Sequence, residues 1–279
     1  MIRTVVKFTD NKVFLEDTDI EQSNSTLMPG VYDFEYDNYN RFSNLLSIDI
    51  PQVYPLMPSS EIENIENFIA TIFSKEYEDL CKNTKILNKN GILLHGEAGI
   101  GKSNYCNYII TKAISEKRAC VFNIDSYRNL IEVIEKVKEL RNIQNNLFVI
   151  LLEEIDELFR QAPSVEGTLK NFMDGINSIN NVLFIATTNY FQIIPKSLVE
   201  RPSRFKKVLK IEQSQNVYEL KKWLEDTYKG FIPDINEKEY EGLHDLCLNK
   251  PIDEIKHILI DYKMGIKNIE KNKSKVGFK

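Results

Sequence analysis

The chain has 279 residues with a formal net charge of -5, 42% hydrophobic and 28% charged, an ordinary balance for a soluble globular protein that can hold more than one module. No apolar run approaches the roughly 20 residues a membrane helix needs, and the N-terminus lacks the basic and apolar regions of a secretory signal, so a cytoplasmic setting without membrane partners is expected. Residues 1–60 carry nine Asp and Glu against Arg3, Lys7, Lys12 and Arg41, which argues against that region gripping a nucleic-acid backbone.

The first 55 residues read as β-rich. Thr4–Phe8 and Lys12–Glu16 flank Thr9-Asp10-Asn11, a hairpin signal. Val31–Tyr36 alternates as a strand should, and Arg41–Leu46 returns after a polar turn. These strands are expected to make a small sheet apart from the rest. Pro51, Pro55 and Pro58 mark a linker, and Ser59-Ser60-Glu61 opens a helix with the apolar stripe Ile62, Ile65, Phe68, Ile69, Ile72 and Phe73.

From Gly91 onward strands and helices alternate. Gly91–His95, Ala119–Ile124, Leu147–Leu152, Val182–Ala186 and Val208–Ile211 read as strands; Asn104–Ser115, Leu130–Arg141 and Glu166–Ile179 read as helices. Such alternation implies a parallel sheet covered by helices. After Gln213 the pattern is helical, over Val217–Tyr228, Glu237–Leu248 and Ile252–Met264, and a lysine-rich tail follows. Cys81, Cys106, Cys120 and Cys247 form no CxxC pair and read as buried free thiols.

Two stretches carry chemistry. Gly96-Glu97-Ala98-Gly99-Ile100-Gly101-Lys102-Ser103 is the phosphate-binding pattern G-x-x-x-x-G-K-[ST], set between a strand and a helix. Its glycines let backbone N–H groups surround a phosphate at a helix N-terminus. Lys102 would reach the β- and γ-phosphates, Ser103 would ligate Mg²⁺, and Asn104 completes the nucleotide-contacting run. The second stretch is Phe148–Leu152 followed by Glu153-Glu154. An apolar strand ending in two carboxylates places them at the sheet edge where nucleotide phosphates lie. Glu153 would hold Mg²⁺ through water, and Glu154 would polarise the attacking water.

These two stretches, with Leu169–Gly175, Val182–Asn189 and Leu198–Phe205 following in order, resemble an AAA+ ATPase of the protein-remodelling branch from about Glu61 to Lys267. The resemblance implies an α/β P-loop domain with a C-terminal helical lid, ATP and Mg²⁺ as ligands, and a homo-oligomeric, usually hexameric, ring. It implies that Asn189 orients the attacking water and reads the γ-phosphate. It likewise makes Arg201 an arginine finger acting on a neighbour's ATP, and Arg204 the second arginine of that motif. The expected organisation is a partner-binding module over 1–55, the α/β ATPase subdomain over 56–212, the lid over 213–267 and a basic tail over 268–279.

The sequence departs from the family in three places. Glu153 stands where aspartate is usual. Ile252-Asp253-Glu254-Ile255 offers no arginine at the helix start where the lid would touch phosphate. The Asp125–Asn129 connection is too short for an ordinary pore loop, although Tyr127 stands in it, with Asp125 or Ser126 the expected helix cap. The short loop gives some similarity to the Rieske-protein translocase branch. The expected function is an ATP-hydrolysing ring that remodels or moves a macromolecular partner, a protein rather than nucleic acid. Two alternatives stand beside it: an ATP-gated scaffold that hydrolyses little, and a ring acting on DNA.

Overall fold

The computed structural model describes residues 3–9, 12–18, 26–36, 43–174, 179–214, 216–227, 242–243, 245–248 and 250–264. The strands are β1 (Arg3–Thr9), β2 (Lys12–Thr18), β3 (Gly30–Tyr36), β4 (Ser43–Ile48), β5 (Lys89–His95), β6 (Cys120–Asn123), β7 (Phe148–Leu152), β8 (Val182–Thr188) and β9 (Lys207–Lys210). The helices are α1 (Ile62–Phe73), α2 (Lys75–Thr84), α3 (Lys102–Lys117), α4 (Tyr127–Ile143), α5 (Ile155–Gln161), α6 (Val165–Met173), α7 (Lys196–Val199), α8 (Val217–Thr227) and α9 (Ile252–Lys263). Half of the Glu237–Leu248 helix and the whole lysine-rich tail lie outside the described residues.

Strands β6, β7, β8, β5 and β9 pair in that order, all parallel. Strand β7 is buried along its whole length, as is β8, which is why both read as unbroken apolar runs rather than alternating ones. Side chains still divide by face. Ile92, Leu94, Val149 and Leu151 enter a core with α1, α3, α8 and α9, whereas Leu93, Phe148, Ile150 and Leu152 face α4, α5 and α6. The α/β architecture and its helix-flanked parallel sheet are those expected.

The N-terminal strands correct one expectation. They do not make a separate sheet: β3 pairs in parallel with β6, and β4, β2 and β1 continue outward by antiparallel pairing to give one nine-stranded sheet. Val31 enters the first core, and Tyr32 and Leu45 enter the second. The backbone N–H of Leu27 reaches Gln144 Oε1 at 2.6 Å. An alternating strand looks half-exposed in sequence, but pairing to β6 covers an edge that would otherwise stay open.

Three helices were not foreseen, α2, α5 and the four-residue α7. α2 carries only one buried side chain, Cys81, so its apolar periodicity is faint. α5 has seven residues, too short to show a period.

All four cysteines are buried free thiols. Among the described residues no helix is long and apolar enough to cross a membrane.

Candidate nucleotide site

The P-loop leaves the C-terminal end of β5 and closes on α3. Gly99 and Gly101 have φ of +76° and +94°, a region that costs residues with a Cβ. Space forbids a side chain as well: a Cβ on Gly99 would lie 2.8 Å from Pro251 Cβ, and one on Gly101 would lie 2.9 Å from Ile252 Cδ1. Ile252 N–H also donates to the Gly99 carbonyl at 2.9 Å. The start of α9 therefore sits on the phosphate loop, at the place where the sequence lacked an arginine. Lys250 is held at 2.5 Å by Glu254.

Lys102 is 7% exposed. Its Nζ donates to the carbonyls of Gly96 at 3.0 Å and Glu97 at 2.7 Å, and to Asn189 Oδ1 at 2.5 Å. Burial lowers its pKa, while the carboxylates of Glu154, Asp156 and Glu153 act in the opposite direction. Asn189 Nδ2 in turn donates to Glu154 Oε1 at 3.3 Å. Three residues from three strand ends, β5, β7 and β8, thus converge as Lys102, Asn189 and Glu154.

The convergence is built by local chemistry. Glu154 adopts left-handed backbone, φ +48° and ψ +48°, ahead of α5, a conformation that costs a non-glycine residue energy and needs support. Its N–H donates to Thr187 Oγ1 at 2.9 Å. Thr188 Oγ1 donates to Asp156 Oδ1 at 2.6 Å and accepts from Tyr190 N–H at 2.9 Å, fixing the turn that displays Asn189. Asp156, 1% exposed, has Arg160 at 3.5 Å as ionic partner. Thr187, Thr188 and Asp156 escaped the sequence reading. The available signal was Asp156 itself, a carboxylate on the apolar face beside Ile155 and Leu158.

A divalent cation fits this edge. Glu153 Oε1 is buried and has no hydrogen-bond partner, and Ser103, exposed at the start of α3, is a second hard oxygen donor.

The remaining predicted residues are placed differently. The Asn104 side chain faces the linker: it accepts from Tyr54 N–H at 3.0 Å and donates to the Tyr54 carbonyl at 2.9 Å. Its side-chain amide is held there by both of its polar atoms. Arg201 is exposed. Arg204 is 7% exposed; its Nε donates to Asp174 Oδ2 at 2.7 Å and its Nη1 to the Ser197 carbonyl. The structure brings Arg204 to Asp174, within its own chain, rather than presenting it outward. Tyr127 follows Ser126, whose hydroxyl caps α4 by accepting from Asn129 N–H at 3.2 Å, and its own hydroxyl lies 3.3 Å from Thr168 Oγ1. It belongs to a capped helix start.

Phosphate loop, paired carboxylates and a polar side chain at the end of the adjacent strand define a P-loop nucleoside triphosphatase. Comparison with known proteins makes the class specific. Residues 92–213 match the model of the AAA family, "ATPase family associated with various cellular activities", and the chain carries an AAA ATPase domain.

It is 28% identical over 150 residues to the vesicular-fusion protein SEC18 of Candida albicans, covering 46% of this chain and 19% of that one. It is 23% identical over 184 residues to an "AAA ATPase forming ring-shaped complexes" of Corynebacterium diphtheriae, covering 56% and 34%. It is 23% identical over 236 residues to a proteasome-associated ATPase of Gordonia bronchialis, covering 70% and 37%. The chain therefore spans well under half the length of these curated relatives. None of them supports the expected leaning toward the Rieske-protein translocase.

Proposed function

We propose that this chain is a Mg²⁺-dependent ATPase that assembles into a ring, hexameric in its simplest form, and uses ATP hydrolysis to remodel or move a protein partner. The Lys102–Asn189–Glu154 constellation carries this reading. Lys102 holds the terminal phosphates; Asn189, bonded to both other residues, aligns the attacking water; Glu154 accepts its proton. Mg²⁺, held by Ser103 directly and by Glu153 through water, would neutralise charge on the phosphates when bound. Arg201, outside its own site, supplies a guanidinium to a neighbour's γ-phosphoryl oxygens, where its planar donors suit the developing charge. Arg204, tied to Asp174, supports that loop rather than touching phosphate.

Relatives named for vesicle fusion, ring-shaped complexes and the proteasome support an action on protein assemblies. The N-terminal strands, which extend the sheet by four, are assigned to partner recognition.

The test is ATP turnover per subunit against protein concentration with Mg²⁺ present. A steep rise is expected if sites are completed between subunits. A flat line near zero with ATP demonstrably bound would instead favour a nucleotide-gated scaffold.

A further inference from the structure

Two aromatic residues, Tyr190 and Phe191, follow Asn189 directly, and their rings settle on different neighbours. The Arg160 guanidinium carbon lies 4.8 Å from the Tyr190 ring centroid, within the range of a cation–π contact. Arg160 belongs to α5, where Asp156 Oδ2 at 3.5 Å and Glu157 hold it. The other oxygen of Asp156 accepts from Thr188. The residues on either side of Asn189 are thus both tied to α5, Thr188 by its hydroxyl and Tyr190 by its ring. Phe191 instead stacks on His95, centroids 4.2 Å apart. His95 ends β5 and directly precedes Gly96, whose carbonyl takes Lys102. Ile193 N–H donates to the Tyr190 carbonyl at 2.9 Å and Ile194 N–H to that of Phe191 at 3.1 Å, so both rings hang from one closed turn.

We propose that Tyr190 and Phe191 are positioning residues for Asn189, each ring fixing the turn against one of the two elements that the Asn189 amide joins. The proposal rests on Asn189 aligning the attacking water. The amide divides the same way as the rings: Oδ1 takes Lys102, which follows β5, and Nδ2 reaches Glu154, which follows β7. Phe191 refers the turn to the end of β5, and Tyr190 refers it to α5, just after Glu154. Core packing does not account for the pair, because Tyr190 is 46% and Phe191 36% exposed, and a half-exposed ring contributes only part of its burial energy. What the two contacts do supply is orientation. A turn pinned on both sides cannot rotate, so the amide keeps its oxygen on the ammonium and its nitrogen on the carboxylate.

A double-mutant cycle on the full chain tests this, with kcat and the affinity for a fluorescent ATP analogue as readouts. Tyr190→Ala and Phe191→Ala should each lower kcat about tenfold, the scale of a misplaced rather than a missing group, and leave affinity within about threefold. Placed in an Asn189→Ala background, the same changes should cost nothing further, because residues that act as a unit are not additive. Arg160→Ala removes the Tyr190 contact from its other, exposed side and should reproduce Tyr190→Ala, which keeps the test open should a ring variant fail to fold. Tyr190→Phe and His95→Phe leave a ring on each contact and should stay within about threefold of the parent. If Asn189→Ala itself turns over as the parent does, the reading of Asn189 falls and the positioning role with it. If Asn189→Ala is slow but the ring variants keep the parent's kcat, or cost as much in its background as alone, the positioning role is overturned although Asn189 stands. A kcat loss matched by lost affinity, or recovered by raising protein concentration, would likewise overturn it, since the rings would then serve nucleotide binding or contact between subunits.

Discussion

Lys102 Nζ donates to Asn189 Oδ1 at 2.5 Å, joining the phosphate loop to the end of β8. The same amide reaches Glu154 through its nitrogen at 3.3 Å, so Asn189 is a neutral spacer between an ammonium and a carboxylate. Without it, Lys102 and Glu154 are free to move toward each other, and Glu154 loses the partner that orients it.

Asn189→Ala should therefore lower kcat by about 10²-fold, the usual scale for losing one preorganised polar group at a reacting centre, while KM for ATP changes little. A KM increase matching the kcat loss would mean that Asn189 binds ground-state nucleotide instead. Steady-state kinetics separate the two.

Glu154→Gln keeps the shape of the side chain and its capacity to accept from Asn189 but removes the carboxylate that the proposed mechanism uses as base. Turnover should fall by about 10²- to 10⁴-fold, with ATP binding retained. Undiminished hydrolysis would remove Glu154 from the role. Glu153→Ala is expected to differ, by weakening the Mg²⁺ dependence of turnover, which a Mg²⁺ titration reads directly.

Much of this site was legible because its residues are contiguous with strong local patterns. Gly96–Ser103 is a motif, and Glu153-Glu154 closes an apolar strand, so sequence spacing alone carried both. The supports were harder to see because each is a long-range pairing. Thr187 meets Glu154 across 33 positions, and Asp156 meets Thr188 across 32; no local period encodes such contacts. The side-chain partner of Asn104 was hidden for the same reason. Asn104 adjoins a motif, but its partner, Tyr54, lies 50 positions upstream. The N-terminal strands read correctly as strands, yet alternation says nothing about which edge a strand will join, and β3 joined the ATPase sheet.

His95 gives the site a pH signature. Its ring stacks on Phe191, centroids 4.2 Å apart and planes at 19°. Burial lowers its pKa, Lys210 and Lys102 lower it further, and Glu212 opposes them. The unfolded chain takes up this proton near pH 6.5, whereas the folded protein resists it to lower pH. Stability linked to His95 is thus fully present above about pH 6.5 and is lost as pH falls through the folded value. His95→Phe, which can keep the stack, should flatten that part of the pH dependence of the urea midpoint. An unchanged slope would assign the effect to other groups.

Glycine replacement separates conformational demand from mere composition. At Gly99, φ of +76° penalises alanine by about 1–2 kcal/mol, and the new methyl would also press on Pro251, 2.8 Å from its Cβ. Both effects act on the contact between phosphate loop and α9, because Ile252 N–H bonds the Gly99 carbonyl. Gly99→Ala should lower stability and weaken ATP binding together. Gly167 is the internal control. It lies inside α6, and a Cβ there would meet nothing within 4 Å, so Gly167→Ala should raise stability by about 0.5–1 kcal/mol through helix propensity and leave ATP affinity unchanged. Chemical denaturation and nucleotide titration of the two variants give the comparison. If Gly99→Ala lost stability yet bound ATP as the parent does, the contact with α9 would be structural only, and α9 would have no part in holding the phosphate loop for nucleotide.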